Sequence, residues 1–206
     1  ARVVAEAEGL QARRAALERK RAVRAEVLRA LQQARRTHTA RADQVARQAG
    51  LEAELAGLGG APAGADLAAD RGRLPPPVPG EVLHPFGRER DDELGDIFRK
   101  GITLAAPRGA PVRAVFDGRV AYADWYQGFG HLVLLDHGHG WFSLYAHLDR
   151  VAVQKGAAVI QGAAVGDAGD TGRLGGPAVY FELRRGAEPV DPARWLRGLE
   201  VGPPAR

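Results

Sequence analysis

Cysteine is absent from the 206 residues of this chain. A disulfide framework and a metal site built from thiolates are therefore both excluded, and the absence suits an oxidising compartment. The sequence also has no run of about 18 apolar residues, so it contains no candidate transmembrane helix. It begins at Ala1 without a signal-peptide pattern, which we interpret as the start of a fragment or of a mature product.

Proline is missing from residues 2–58, which are rich in Ala, Arg, Glu, Gln and Leu. These residue types are strong helix formers. Val3, Leu10 and Leu17 recur every seven residues and begin a narrow apolar stripe, which is the pattern of a coiled-coil seam or of one arm of a helical hairpin. The sequence therefore predicts a coiled-coil helix over residues 1–59, and its stripe needs a partner to cover it.

Positive charge is concentrated in the same segment. Residues 1–58 carry 12 Arg and Lys against 7 Asp and Glu, whereas the rest of the chain carries 17 against 18. A basic helix can bind nucleic acid, but these arginines are interleaved with glutamates and no Phe, Tyr or Trp is present to stack on bases. We expect a solvated helix face and no nucleic-acid partner.

Residues 60–82 are rich in Gly, Ala and Pro and end in a proline run over 75–79. Such a run favours extended polyproline geometry, so the segment is predicted to be a stiff linker. Within it, Ala65–Arg71 can form a short restraining helix with Asp66 and Asp70 on one face. We expect these carboxylates to cover a basic groove of the following domain; a disordered linker is the alternative.

From Glu81 onward the chain changes to short β-branched and aromatic runs separated by turn signals such as Asp117-Gly118. Without long helices between them, these runs predict a compact, mainly antiparallel β domain over residues 83–200, sandwich-like or part-barrel. The whole chain is therefore predicted to be α+β, with the helix first. The candidate strands are Val112–Val115, Gly118–Ala123, His131–Leu135, Ser143–Leu148 and Val179–Arg184.

Several sequence blocks follow one another in a fixed order: HPFGR at 84–88, AAP at 105–107, GFG at 128–130, YAHL at 145–148 and FELR at 181–184. Together they resemble the LytM/lysostaphin-type zinc endopeptidases, which cleave peptidoglycan cross-bridges. That family holds zinc with an H-x-x-x-D pair and the second His of an H-x-H. The matching positions here are Arg99, Thr103 and Tyr180, and none of them suits zinc at neutral pH. The resemblance implies the fold without the metal, and we expect no cofactor.

Within this family the chain is similar to the EnvC-like branch, in which a coiled coil precedes a degenerate LytM domain. The similarity lies in residues 72–75, 123–125 and 180–185. Members of the branch do not cut the wall; they switch on cell-wall amidases at the division site, under control of the membrane complex FtsEX. The resemblance implies a non-enzymatic murein hydrolase activator in the periplasm, whose partners are a cell-wall amidase, an FtsEX-type complex bound through the coiled coil and, as a further candidate, peptidoglycan.

If the fold is kept, the replaced positions and their neighbours line the old substrate groove. We expect this groove to bind the amidase, because aromatic and arginine side chains are common at binding hot spots, and we expect Lys100, Tyr180 and Arg184 to be exposed there. His147 matches a catalytic histidine of the active enzymes, but without a metal-bound water it is assigned a structural or interface role. The predicted groove residues are Arg99, Lys100, Thr103, Phe129, Leu132, Tyr145, His147, Tyr180 and Arg184.

Two other functions stay open at this point: a zinc endopeptidase with altered ligands, and a passive peptidoglycan-binding scaffold. His137 and His139 form a further H-x-H by spacing, but they lie in a glycine-flanked stretch. A metal site there would need a third ligand and a fixed set of supporting hydrogen bonds. We therefore expect a plain turn at these two histidines.

Overall fold

The structure is a computed structural model that describes residues 18, 21–22, 25–26, 28–29, 50, 65–91, 95–171 and 176–199. The chain divides into two compact units, Ala1–Val45 and Ala46–Arg206. The described residues of the first unit are α-helical and exposed; the predicted coiled-coil seam otherwise lies outside the described residues and stays a prediction. No described helix has the length and apolar character that crossing a membrane requires.

The second unit contains the compact antiparallel β domain that the sequence predicts. Each of the five predicted strands overlaps an observed strand, and the longest observed strands follow one another along the chain. The strands are β1 (Val82–His84), β2 (Gly87–Asp91), β3 (Gly95–Arg99), β4 (Ile102–Ala105), β5 (Pro111–Arg113), β6 (Gly118–Tyr126), β7 (Gly130–Gly138), β8 (Trp141–Val151), β9 (Ala158–Val159), β10 (Ala164–Ala168), β11 (Ala178–Arg185) and β12 (Glu188–Val190).

Within the described part of the chain, one large sheet has the strand order β1-β4-β11-β8-β7-β6-β9. β10 pairs with both β5 and β8, and β12 pairs with the C-terminal part of β11. β2 and β3 form a separate two-stranded hairpin. All of these pairings are antiparallel, as expected for strands joined by short turns.

Both faces of the central strands are covered with apolar side chains. On β7, Val133 and Leu135 belong to the main core, whereas Leu132 and Leu134 belong to a second cluster. Successive strand residues point to opposite faces, so the two clusters lie on the two sides of the sheet. We call the side of the second cluster the groove face; its buried members are Leu132, Leu134, Phe142, Leu144 and Ala146.

The two glycine-flanked histidines lie at the end of β7 and in the turn that leads to β8. Gly138, His139 and Gly140 have φ angles of 79°, 52° and 76°, a left-handed conformation that glycine adopts without strain. His139 is exposed in this turn, whereas His137 is 3% exposed and lies within the domain. The expectation of a plain turn is confirmed for His139. It is wrong for His137, which lies on β7 and is buried because both of its ring nitrogens have hydrogen-bond partners inside the domain.

The segment 65–82 packs into the β domain, so the prediction that its acidic helix covers a basic groove is wrong. Leu67, in the short 3-10 helix Leu67–Asp70, is buried in the main core, and Leu74 joins it there. The Asp66 side chain caps this helix by accepting from the Ala68 N–H at 3.0 Å. Asp70 pairs with Arg73 at 3.1 Å. Burying the leucines commits the segment to the domain, which begins no later than residue 65.

Candidate functional site

The groove face brings together residues from three neighbouring strands. Thr103 on β4 is the direct cross-strand partner of Tyr180 on β11, and Tyr180 is opposite Ala146 on β8. The imidazole of His147 then lies with its ring centroid 6.0 Å from that of Tyr180. The register of the sheet therefore assembles Thr103, Tyr180 and His147 at one place, as the sequence predicts.

Tyr180 fills the centre of this site. Its ring packs against Phe129 with 5.7 Å between centroids and lies over Gly101, where a Cβ would be 2.9 Å from the tyrosine Oη. The hydroxyl donates to Glu182 Oε2 at 2.9 Å. Burial and the neighbouring Glu182 raise the pKa of Tyr180 well above its ordinary value, although the residue as a whole is only partly buried. The phenol therefore stays a neutral hydrogen-bond donor.

His147 is held by the backbone of Phe129. Its N–H donates to the Phe129 carbonyl at 2.9 Å, and Nδ1 lies 3.1 Å from the same oxygen. Nδ1 thus carries the proton of the neutral ring, and Nε2 carries the lone pair. The φ of His147 is 64°, a left-handed angle that is uncommon for a residue other than glycine. Burial lowers the pKa of His147 to about 4, so the imidazole is uncharged at neutral pH.

This buried histidine predicts that the protein loses stability in acid. The pKa of about 4 in the folded state lies below the ordinary value of about 6.5. The stabilisation is therefore complete above the ordinary pKa and is lost as the pH falls toward the folded value. We expect the free energy of unfolding to fall by about 2 kcal/mol between pH 7 and pH 5 from this group alone. Urea denaturation followed by tryptophan fluorescence measures it.

The variant His147→Asn should flatten this pH dependence, since asparagine tolerates a left-handed φ and does not titrate. His139→Asn is the matched control, because His139 also has a left-handed φ but is exposed. His137 is unchanged in both variants, and its pKa is also lowered, mainly by burial. Equal slopes in the parent chain and in His147→Asn would contradict the assignment.

The cations of the predicted groove are compensated by carboxylates. Arg99 forms an ion pair with Glu89 of the β2–β3 hairpin, and Glu89 also contacts His84 Nδ1 at 3.0 Å. Burial acts to raise the pKa of Glu89, but the hydrogen bonds from His84 and Arg99 outweigh it and hold that pKa below its ordinary value. The positive charge of Lys100 acts on the carboxyl of Glu182. The positive charge of the predicted basic groove is therefore partly offset by Glu89 and Glu182.

Arg184 lies inside the domain, so the prediction that it is exposed is wrong. The side chains of Arg184 and Glu182 are 1% and 2% exposed and form an ion pair, and the guanidinium also donates to the Ala187 carbonyl. Burial raises the pKa of Glu182, against the opposing effects of Arg184 and Tyr180. A charged group is seldom fully buried unless it is paired. Here both members of the pair, Glu182 and Arg184, lie on β11.

Tyr145 is not part of the groove. It lies in the main core on the opposite face from Leu132. Its hydroxyl accepts from the Val115 N–H at 3.0 Å and is 2.9 Å from Ser143 Oγ. Burial raises the pKa of Tyr145 to about 12. The sequence pattern alone could have assigned Tyr145 to the face opposite Leu132. Side chains alternate between the two faces along a strand, and Tyr145 lies between the groove-face residues Leu144 and Ala146.

The predicted set also missed a rim of aromatic residues around the second cluster. Tyr122 and Tyr126 stack edge to face with 5.9 Å between centroids, and Tyr126 packs on Phe129 at 6.0 Å. Gly50 approaches this rim so closely that a Cβ there would lie 2.8 Å from Tyr126 Oη. The groove face thus has an apolar floor, an aromatic rim and a contact from the segment that precedes the β domain.

Comparison with known proteins decides the family of the domain. The family model described as Peptidase family M23 matches residues 97–192. These residues form an M23 domain. The fold agrees: a solved structure of a protein assigned to the M23 peptidases, from Pseudomonas aeruginosa, matches with a TM-score of 0.61 and 26% identity, covering 77% of this chain and 63% of that one.

Curated relatives of this M23 domain include both activators and peptidases. The murein hydrolase activator EnvC of Escherichia coli is 39% identical over 130 residues, covering 63% of this chain and 30% of its own length. The cell division protein DipM of Caulobacter vibrioides is 36% identical over 62% of this chain and 21% of its own. The DD-carboxypeptidase/endopeptidase Mpg of Neisseria meningitidis is 40% identical over 58% and 28%. The chain therefore spans less than a third of each relative.

The side chains present do not fit the zinc ion of M23 peptidases. The positions that the sequence resemblance matches to the family's ligands hold Arg99, Thr103 and Tyr180. Arginine keeps its proton, and a neutral tyrosine and a threonine are poor zinc ligands. Among the residues that the structure describes, no three His, Cys, Asp or Glu side chains lie close enough together to hold a metal ion. Of the four described positions that the resemblance matches to the family's site, Arg99, Thr103, His147 and Tyr180, one holds a histidine.

Proposed function

We propose that this protein is a non-catalytic activator of a peptidoglycan amidase, an N-acetylmuramoyl-L-alanine amidase that acts in cell division. The proposal rests on the residue types Arg99, Thr103 and Tyr180 at the positions that the resemblance matches to the three zinc ligands, within the sheet of an M23 domain. The similarity to a protein named as a murein hydrolase activator supports it. A catalytic zinc site needs three protein ligands, and Arg99, Thr103 and Tyr180 do not supply them.

The groove face is the proposed docking surface for the amidase. The partly exposed aromatic side chains that pack around the buried cluster suit the apolar side of an amphipathic helix, which is a common mode of recognition; they are Tyr122, Tyr126, Phe129 and Tyr180. Phe129 and Tyr180 pack against each other there. The positive charge of Lys100 acts on Glu182, which accepts from the Tyr180 hydroxyl. We propose that the surface binds an element that blocks the amidase active site. Activation then requires tighter binding to the open amidase than to the closed one.

The cellular setting is part of the same proposal. We place the protein in the periplasm, with an FtsEX-type membrane complex acting through the N-terminal helical segment. The similarity to EnvC and to the cell division protein DipM supports this setting. Peptidoglycan itself is a further candidate ligand, because a passive wall-binding scaffold is the main non-enzymatic alternative.

Dye release from labelled peptidoglycan tests these functions together. The protein alone should release no dye, and an amidase that responds to it should release dye many-fold faster in its presence. Release by the protein alone would support the peptidase alternative, which the relative Mpg makes worth testing. Binding to the wall without any stimulation of amidases would support the scaffold and overturn the activator proposal.

Changes on the groove face should weaken this stimulation. We expect Phe129→Ala or Lys100→Glu to raise the concentration for half-maximal stimulation about tenfold or more, as for other interface hot spots. Lys155→Glu is the matched control for the charge change, because Lys155 lies in an exposed turn before β9. Unchanged stimulation by folded groove variants would place the docking surface elsewhere.

Zinc should not stabilise the domain. A ligand present at 100 times its dissociation constant raises stability by about 2.7 kcal/mol, which would shift the melting temperature by several degrees. We therefore expect the melting temperature to be the same, within about a degree, in excess zinc and in excess chelator. A clear rise with zinc and fall with chelator would favour the peptidase alternative.

A further inference from the structure

Trp125 is an exposed aromatic residue that lies outside the groove face. On β6, Tyr122 and Tyr126 pack against the second cluster, whereas Ala123 packs against the main core. Successive strand residues point to opposite faces, so Trp125 points to the side of the main core. The residue is nevertheless 54% exposed, because it lies near the end of the strand. The proposed activator function leaves this tryptophan without a role.

The Trp125 ring is positioned by its cross-strand partner His131. The two residues are opposite each other on β6 and β7, and their rings are nearly perpendicular, at 89°, with 5.2 Å between centroids. In such an edge-to-face contact a neighbour covers at most one face of a ring. Since more than half of Trp125 is exposed, an indole face remains open to solvent.

His131 is in turn anchored by the backbone of Asp149. Its Nδ1 lies 3.1 Å from the Asp149 carbonyl oxygen. That oxygen can only accept, so Nδ1 carries a proton, and in the neutral ring Nε2 is then an acceptor. His131 thus adds a polar group directly beside the indole.

An exposed ion pair continues this row of contacts. Arg108 Nη2 donates to Asp149 Oδ1 at 2.7 Å, and the two side chains are 60% and 37% exposed. The hydrogen bond from Arg108 is the main cause that holds the pKa of Asp149 below its ordinary value. The Asp170 carboxylate also acts on Arg108, so the positive charge of the guanidinium is offset. We call Trp125, His131, Asp149 and Arg108 the indole site.

The chemistry of the indole site fits a neutral ring that carries several hydroxyl groups. A pyranose sugar has a face of C–H bonds, whose small positive charges suit the negative face of an indole. Its hydroxyls both donate and accept hydrogen bonds, and Arg108, Asp149 and His131 supply groups of both kinds. An amphipathic helix would instead need apolar neighbours around the tryptophan, and these three side chains are polar.

We infer that the indole site binds a glycan strand, with one sugar ring stacked on Trp125 and a neighbouring ring hydrogen-bonded by Asp149 and Arg108. The identity of the strand rests on the proposed cell-wall function, which makes it the N-acetylated glycan of peptidoglycan. Because the indole site and the groove face lie on opposite sides of the sheet, the protein can hold the wall and an amidase at the same time.

The test is a titration of the full chain with chitotetraose, a soluble tetramer of N-acetylglucosamine, followed by tryptophan fluorescence. Trp141 and Trp195 are only 2% and 8% exposed, so a bound sugar changes mainly the emission of Trp125. We expect a saturable blue shift and reduced quenching by iodide, whereas the free stem peptide of peptidoglycan should cause neither. The absence of a saturable change, or an equal change with the peptide, would overturn the inference. The titration contains no amidase, so its outcome is separate from that of the dye-release test.

Variants locate the binding, with the affinity for chitotetraose measured by NMR line broadening of the sugar. Trp125→Ala should lower the affinity about tenfold or more, as loss of an aromatic anchor does, and Trp125→Phe should keep most of it. Ile160→Ala is the matched control, because Ile160 is also exposed, at 70%. Asp149→Asn should lower the affinity about threefold, and its control is Asp167→Asn, since Asp167 also pairs with an exposed arginine.

An affinity for chitotetraose that is unchanged in folded Trp125→Ala would overturn the inference. Loss of amidase stimulation by that variant would then identify Trp125 as a contact for a protein partner instead.

Discussion

Replacing Arg184 with methionine should lower the free energy of unfolding by about 3–5 kcal/mol, because it leaves the Glu182 carboxylate buried without its main counter-charge. Both side chains are at most 2% exposed, so water cannot take the place of the lost partner. The loss would be a large share of the total stability of about 5–15 kcal/mol that is usual for a protein. Urea denaturation followed by tryptophan fluorescence measures it, since Trp125, Trp141 and Trp195 all lie in the β domain.

Two further variants compare the contribution of this buried ion pair to stability with that of an exposed ion pair. Arg150→Met breaks the ion pair between Arg150, which is 70% exposed, and Asp167. This change should lower the free energy of unfolding by no more than about 1 kcal/mol. The double variant Arg184→Met, Glu182→Leu should recover most of the loss, because an apolar replacement of a buried pair is often nearly neutral. A similar small cost for both single variants would show that Arg184 reaches solvent in the protein.

Deleting residues 1–80 should prevent the β domain from folding, whereas deleting residues 1–64 should not. The longer deletion removes Leu67, Leu74 and Val78, each at most 1% exposed, and losing a buried aliphatic side chain of the size of leucine costs about 2–5 kcal/mol. It also removes the Pro77 carbonyl that accepts from the Arg113 N–H at 2.8 Å. Thermal melts and near-ultraviolet circular dichroism of the two proteins test this. Similar melting temperatures would contradict the packing of residues 65–82.

The shorter deletion also tests self-inhibition of the proposed activator. It removes Gly50, which approaches Tyr126 on the groove face, but it leaves every described contact of residues 65–82 in place. If the preceding segment restricts access to the groove face, the protein without residues 1–64 should stimulate its amidase several-fold more strongly than the full chain. Equal stimulation would leave the N-terminal segment with a role in localisation only.

Local sequence features were sufficient to predict the β domain, and they name the residue types at the candidate zinc-ligand positions. Short β-branched runs between turn residues have few alternatives to an antiparallel sheet, and β6, β7, β8 and β11 lie where those runs do. The residue types at those positions can be read directly from the sequence, since metal binding depends on residue type at a given spacing. The sheet then confirmed that Thr103 and Tyr180 are neighbours.

The sequence by itself thus determined which residue types stand at the candidate ligand positions, and the tertiary structure decided which side chains are available there. Arg184 looks like a groove cation in the sequence, but Glu182 two residues earlier pairs with it below the surface. Leu67 looks like part of a linker, but it is buried in the main core beside Leu74. Both outcomes depend on partners that the fold brings close, because the free energy of burying a charge or a leucine depends on its neighbours and not on its own identity.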